Sequence, residues 1–283
     1  MIGAIAGDII GSRWEGSGFK EKEFELFHSA SRFTDDTILT IAVADALLSG
    51  KRYVAVFHEY FRDYPTAGYG GWFAAWALAR QAEPYGSHGN GAAMRVSPVA
   101  WAFDTLEEVA DEARRSAEVT HNHPDAVKSA EATAVAIFLA RSSLTKREIR
   151  ALLETRFGYD LSRSLDEIRP GYQFEVRASD SVPESIIAFL ESESWEDAVR
   201  NAVSLGGDAD TMAAIAGSIA EAFYGVPASI EARVRGMLTD SLLRVVEAFD
   251  RRFRDRDLDR SANEAGAEGE ASPPNWSFGS GRA

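Results

Sequence analysis

Apolar residues recur at intervals of three and four along most of this chain, the spacing that lines one face of a helix. The pattern predicts helices over residues 38–49, 53–64, 71–82, 106–120, 124–140, 146–157, 183–190, 195–205, 212–224 and 228–254. The expected class is therefore all-α. Alanine-rich stretches such as Ala130-Glu131-Ala132-Thr133-Ala134-Val135-Ala136 let helices approach closely, and Thr145 before Lys146-Arg147-Glu148 marks a capped start. Only residues 172–177 alternate with a period of two, and with no convincing partner they read as an extended loop. Residues 19–33 and 82–98 hold no sustained period and are long enough to be functional loops. Beyond residue 260 periodicity stops. The sequence thus divides into a helical domain over 1–260 and a disordered tail over 261–283, in which Trp276 and Phe278 are the only large apolar residues.

Two of the predicted helices begin at matching acidic junctions. Thr34-Asp35-Asp36-Thr37 precedes the run that closes at Gly50, and Asp208-Ala209-Asp210-Thr211 precedes the run that closes at Gly225. Either cluster alone is an ordinary N-cap, since Asp and Thr satisfy free amides and complement the helix dipole. A cap needs one oxygen, however, and both junctions double the carboxylate and flank it with threonine. If the fold joins them, four carboxylates meet and must be protonated, solvated or neutralised by cations. Hard oxygen donors favour Mg²⁺, Mn²⁺ or Ca²⁺ over zinc, and the chain has no cysteine.

Composition narrows the setting. A chain of 283 residues with 45% hydrophobic content can bury a large core, and without cysteine it has no disulfide or thiolate site. The formal charge of -14 disfavours nonspecific nucleic-acid binding and anionic membranes. The opening Met1-Ile2-Gly3-Ala4-Ile5-Ala6-Gly7-Asp8 lacks a basic leader, and no apolar run is long enough to span a bilayer. A cytoplasmic location is expected, with a monomer favoured although the sequence leaves assembly open.

Three further stretches carry chemistry. Gly7-Asp8-Ile9-Ile10-Gly11-Ser12-Arg13-Trp14-Glu15 adds the carboxylates Asp8 and Glu15 ahead of the first junction, where either could ligate an ion or exchange a proton. Gly86-Ser87-His88-Gly89-Asn90-Gly91-Ala92-Ala93-Met94-Arg95 passes from a glycine-punctuated loop toward a helix, an arrangement that offers amides and a dipole end to phosphate. It is neither a Walker motif nor a dinucleotide fingerprint. Arg95 suits either phosphate or a structural ion pair. Thr120-His121-Asn122-His123-Pro124-Asp125 holds two histidines before a helix with proline at its first position; Asn122 or His123 serves as a cap, and zinc is disfavoured for want of further ligands. His121 is assigned a substrate hydrogen bond.

Taken in order, Gly7-Asp8-x-x-Gly11-Ser12-x-x-Glu15, Thr34-Asp35-Asp36-Thr37, Gly89-Asn90-Gly91-Ala92-Ala93-Met94-Arg95 and Gly207-Asp208-Ala209-Asp210-Thr211 closely resemble the motifs of the ADP-ribosylglycohydrolase family, which includes the dinitrogenase-reductase-activating glycohydrolases. The resemblance implies a compact, single-domain orthogonal bundle of helices with a binuclear Mg²⁺ or Mn²⁺ site in a cleft. It also implies hydrolysis of the glycosidic bond between ADP-ribose and an acceptor, either a modified protein side chain or a small conjugate. By the same resemblance Thr34, Asp35, Asp36, Asp208, Asp210 and Thr211 are expected to hold the metals, and Glu15 or Asp36 to handle the proton. Ser87, His88, Gly89, Asn90, Gly91 and His121 are expected along the ADP-ribose, with Tyr85 as a stacking substitute should His88 not serve. A noncatalytic ADP-ribose-binding protein and a two-metal phosphoester hydrolase are the competing readings. Residues 19–33 and 65–72 are the expected lids.

Overall fold

The structure, a computed structural model, describes residues 1–254. Within them fifteen α-helices follow in order: α1 (Ile2–Gly11), α2 (Asp35–Ser49), α3 (Tyr53–Asp63), α4 (Gly71–Leu78), α5 (Gly91–Met94), α6 (Val99–Ala102), α7 (Leu106–Glu118), α8 (Pro124–Arg141), α9 (Lys146–Phe157), α10 (Leu165–Ile168), α11 (Ala178–Leu190), α12 (Trp195–Val203), α13 (Ala209–Tyr224), α14 (Ala228–Arg235) and α15 (Asp240–Phe249). A π-helical turn (Asp250–Arg254) continues α15. The described residues contain no strand, and the all-α expectation holds. The expected tail over 261–283, with Trp276 and Phe278, lies outside the described residues.

Most predicted helices are present, and the differences have local causes. The expected helix over 228–254 is interrupted where Gly236 ends α14 and Thr239 becomes the extended N-cap of α15. The helix expected from Pro183 starts instead at Ala178, so Pro183 lies inside α11. The helix expected over 71–82 stops at Leu78, and Arg80 takes a positive φ of 51°. The largest departure is α1, ten buried residues in a segment where no helix was predicted. Glycine is a poor helix former in isolation. Here Gly3, Gly7 and Gly11, spaced by four, lie on one face of α1 and press it onto α13.

That contact organises the core. A Cβ on Gly3 would fall 2.4 Å from the carbonyl oxygen of Gly217, one on Gly7 would fall 2.1 Å from that of Ala213, and one on Gly11 would fall 2.4 Å from that of Ala209. The order of these pairs makes the two helices antiparallel, so the C-terminal end of α1 meets the N-terminal end of α13. Around this pair pack α2, α8, α11 and α12. The side chains of α13 are buried from Ala209 to Glu221, and those of α8 almost throughout. No helix of the described residues is long and apolar enough to cross a membrane.

Candidate functional site

The antiparallel pairing of α1 and α13 brings the two acidic junctions together. Asp8, on the last turns of α1, is wholly buried and receives Thr34 N at 2.9 Å, Thr34 Oγ1 at 2.7 Å, Thr37 N at 3.1 Å and the Thr37 hydroxyl. A carboxylate accepting amides at the first turn of α2 complements the dipole of that helix and pins its start. Thr34 is also the N-cap, its Oγ1 accepting from Asp36 N at 3.3 Å. From the other junction Thr211 Oγ1 donates to Asp36 Oδ2 across 3.3 Å. The junctions are thus in direct contact. Carboxylate oxygens of Asp8, Asp36 and Asp210 lie within 4.8 Å of one another, as do those of Glu15, Asp208 and Asp210. Asp210 belongs to both groups. Asp35 belongs to neither and stands on the cleft wall near Gly68.

Asp8, Asp36, Asp208 and Asp210 are buried, Asp35 is half-buried and Glu15 exposed, and none has a Lys, Arg or His side chain in ion-pair contact among the described residues. Burial first, and neighbouring carboxylates second, push Asp36 and Asp210 well above the ordinary carboxylate range. Burial likewise raises Asp35 to about 7, with Asp8 the next cause. Asp8 and Asp208 rise to about 6, again by burial, with the hydrogen bonds to Asp8 from Thr34 and Thr37 and to Asp208 from Asn90 acting in the opposite sense. Asp36 Oδ1 is buried with no hydrogen-bond partner. An orphaned carboxylate oxygen among purely hard donors, beside two overlapping carboxylate triads, fits divalent cations of the Mg²⁺ or Mn²⁺ kind.

A cleft of about 360 Å³ opens above the cluster, within the range of small-ligand sites. Thr34, Asp36, Asp208, Asp210 and Thr211 line its floor, with Glu15 and Asp35 beside them, and Ser87, Gly89, Asn90, Gly91 and His121 complete the lining. Of the residues that the family resemblance puts at the site, only His88 is absent from this lining. It is exposed, with its ring 6.0 Å from that of His123. Tyr85, the stacking substitute, does line the cleft, 6.0 Å from the His121 ring and 6.3 Å from that of Trp72.

The glycine-rich segment differs from its expected form. The helix it enters, α5, is one turn of four residues and adds little dipole. Several loop amides are already engaged: Ser87 N with Thr120 O at 3.3 Å, Gly89 N with Ser87 Oγ at 3.2 Å and Asn90 N with Val176 O at 2.9 Å. The Asn90 side chain donates to Asp208 Oδ2 at 2.7 Å, bracing the loop on the acidic cluster. His123, not Asn122, caps α8. Among the described residues Arg95 forms no ion pair. It is fully buried against Phe57, and its Nη2 donates to Ser116 O and Thr120 Oγ1.

A profile of the ADP-ribosylglycohydrolase family matches residues 1–262. The chain belongs to the ADP-ribosylglycohydrolase family. Among relatives in this family, mouse ADP-ribosylhydrolase ARH3 is 26% identical, the alignment covering 87% of this chain and 90% of the mouse protein. ADP-ribosylarginine hydrolase Tri1 of Pseudomonas putida is 27% identical over 80% of this chain and 70% of its own. A solved structure described as an ADP-ribosylglycohydrolase-related protein complex superposes with a TM-score of 0.64 at 25% identity, covering 88% of this chain and 96% of the other. The all-helical architecture is therefore that of the family.

Some cleft residues of this family member were not legible in its sequence. Phe174 and Val176, from the extended loop, project at the cleft mouth at 49% and 44% exposure. The loop has a partner after all, a single antiparallel bridge between Gly89 and Arg177. Of the two expected lids, residues 65–72 border the cleft through Gly68, Gly70, Gly71 and the exposed Trp72. From residues 19–33 only Arg32 does so. The start of that stretch is tied down instead, Lys20 Nζ donating to Tyr172 O and Leu205 O, and Arg200 Nη1 to Lys22 O and Phe24 O.

Proposed function

We propose that this protein hydrolyses the glycosidic bond joining ADP-ribose to an acceptor. The observation that carries the reading is the meeting of Asp36, Asp208, Asp210 and Glu15 in a cleft that the Gly89–Asn90–Gly91 loop also lines. In this reading Thr34, Asp35, Asp36, Asp208, Asp210 and Thr211 hold two divalent cations, and Asp8 orients them from behind. When bound, Mg²⁺ or Mn²⁺ supplies charge neutralisation, orientation of ribose hydroxyls and a water of lowered pKa.

The protein's own groups do the rest. The Thr34 hydroxyl donates its hydrogen bond to Asp8 and accepts from Asp36 N, which leaves one lone pair for the cluster. Asn90 fixes Asp208 and carries the loop with it, so the diphosphate side and the ribose side of the cleft keep one register. Hydrolysis breaks the bond from the anomeric carbon to the acceptor and forms one to water oxygen, through an oxocarbenium-like state. A proton leaves the water and one reaches the acceptor. In this reading Glu15, exposed beside Asp208 and Asp210, carries that proton, and Asp36 with its unpartnered oxygen is the competing group.

The test is product analysis with arginine-, serine- and acetyl-linked ADP-ribose, with EDTA or added Mg²⁺ or Mn²⁺. Free ADP-ribose released only with metal is the expected result and names the acceptor. Binding without turnover would point to a noncatalytic reader, released phosphate to a phosphoester hydrolase. Full activity in a folded Asp208→Ala protein would overturn the mechanism.

A further inference from the structure

Arg95 is the unusual residue of the cleft. Its guanidinium is fully buried, no carboxylate of the described residues pairs with it, and both Nε and Nη1 lack hydrogen-bond partners. Such a group costs stability, because desolvating a cation without a counter-ion is unfavourable. The ring of Phe57, 4.4 Å away, recovers only part of that cost. What Arg95 does hold is Thr120: Nη2 donates to Thr120 Oγ1 at 2.9 Å, and Thr120 Oγ1 lies 2.8 Å from Nδ1 of His121. The backbone of His121 is fixed by its own amide, which donates to Ala117 O at 2.8 Å. The far edge of the imidazole faces the loop. A Cβ on Gly91 would come within 2.9 Å of His121 Nε2, so the absence of a side chain there makes room for the ring.

We infer that Arg95 is a positioning residue that acts through Thr120 to hold His121 as the Nε2–H tautomer, aimed into the cleft as a hydrogen-bond donor. The physical basis is directional. Arginine only donates, so Thr120 Oγ1 must accept from it. A hydroxyl that accepts from a cation becomes a better donor and a poorer second acceptor. Its proton therefore goes to Nδ1, and the imidazole turns its lone pair, not its N–H, toward the positive charge. The ring proton is left on Nε2, at the loop edge of the cleft. Burial first, then Arg95 and His88, also hold His121 well below the ordinary histidine range, so the ring is a neutral donor. Resting on the proposed function, the recipient is an acceptor oxygen of the ADP-ribose moiety.

The tautomer can be read without any substrate. In the full chain labelled with ¹⁵N at histidine, with the His121 signal identified by its loss in His121→Gln, the imidazole should show only the Nε2–H pattern. An Nδ1–H pattern or an even mixture in the wild type would overturn the inference. Arg95→Met should remove the single-tautomer pattern and weaken ADP-ribose binding roughly three- to tenfold, the worth of one neutral hydrogen bond. Retention of the pattern in that variant would equally overturn it. Should Arg95→Met not fold, Thr120→Val breaks the same link at nearly constant volume and must give the same loss, while Thr120→Ser keeps the hydroxyl and must preserve the wild-type pattern. A wild-type His121 that is wholly Nε2–H in a protein that binds no ADP-ribose supports the relay and counts against the substrate reading instead.

Discussion

The cleft is lined by groups of opposite charge, the acidic cluster and Arg95, and neither is balanced by an ion pair among the described residues. In the acidic cluster Asp8, Glu15, Asp35, Asp36, Asp208 and Asp210 gather with no cationic side chain in ion-pair contact among the described residues. Arg95, which also lines the cleft, is buried with two unpartnered donor atoms, and no carboxylate of the described residues comes near enough to pair with it. A fold selected for stability alone would have let these charges meet. Keeping them apart leaves each incomplete in its own way. In the proposed reading the acidic cluster would be completed by cations from solution, and the imidazole of His121 would donate to a ligand.

The largest loss is expected at Asp210, the residue shared by both carboxylate groups. Asp210→Ala should lower turnover by about a thousandfold or more, equivalent to roughly 4 kcal/mol of transition-state stabilisation. The same variant should lose the stabilisation that saturating Mn²⁺ gives the wild type, about 2.7 kcal/mol at a hundredfold excess over Kd, read as a thermal-shift difference. The Gly89–Asn90–Gly91 loop should keep its fold, which ¹⁵N spectra of His121 would report.

Next in size is Gly7→Ala. The added Cβ would lie 2.1 Å from the Ala213 carbonyl oxygen, and backbone cannot move aside as a flexible side chain can. A loss of about 1–3 kcal/mol is expected in denaturant unfolding. Because α1 carries Asp8 and leads to Glu15, cation affinity should fall more than ADP-ribose affinity.

The pH dependence sharpens the contrast further. Asp8 and Asp208 stand at about 6 and Asp35 at about 7 in the folded protein, all raised by burial from an ordinary value of 3.8. Between those values the folded state holds protons that the unfolded chain has released. Stability of the metal-free protein should therefore fall as pH rises from about 4 to about 7. Added Mg²⁺ or Mn²⁺ should offset that fall at neutral pH, and its apparent affinity should weaken as pH drops through the same window. A metal-free protein whose melting temperature rises across this interval would contradict the assignment. Smaller again is Asn90→Ala, which removes the donor to Asp208 and should lower kcat/KM about tenfold, the scale of a hydrogen bond to a charged group. Smallest is Trp72→Ala: at 71% exposure its loss should change stability by no more than about 0.5 kcal/mol while raising KM for bulky acceptors.

What the sequence determined was local. The periodicity of residues 146–157 gave α9 at its observed bounds, Thr34 and Thr145 were readable as caps, and the doubled aspartates announced a charge that capping does not require. The order of the motifs gave the family. These features depend on neighbours within a turn or two, where spacing and side-chain chemistry suffice.

Tertiary structure decided the rest, because it rests on contacts between residues far apart in the chain. Gly3, Gly7 and Gly11 look like helix breakers until α13 lies against them, and only then does Asp8 arrive beneath Thr34 and Thr37. The loop of residues 172–177 has no recognisable partner until it crosses Gly89 and sets Phe174 and Val176 at the mouth. His88 sits one residue from two cleft residues yet turns outward, since neighbours in an extended segment face opposite ways. Arg95 was ambiguous between phosphate and an ion pair because composition cannot say whether a counter-ion will be near. Burial without one, against Thr120, is a property of the packed molecule alone.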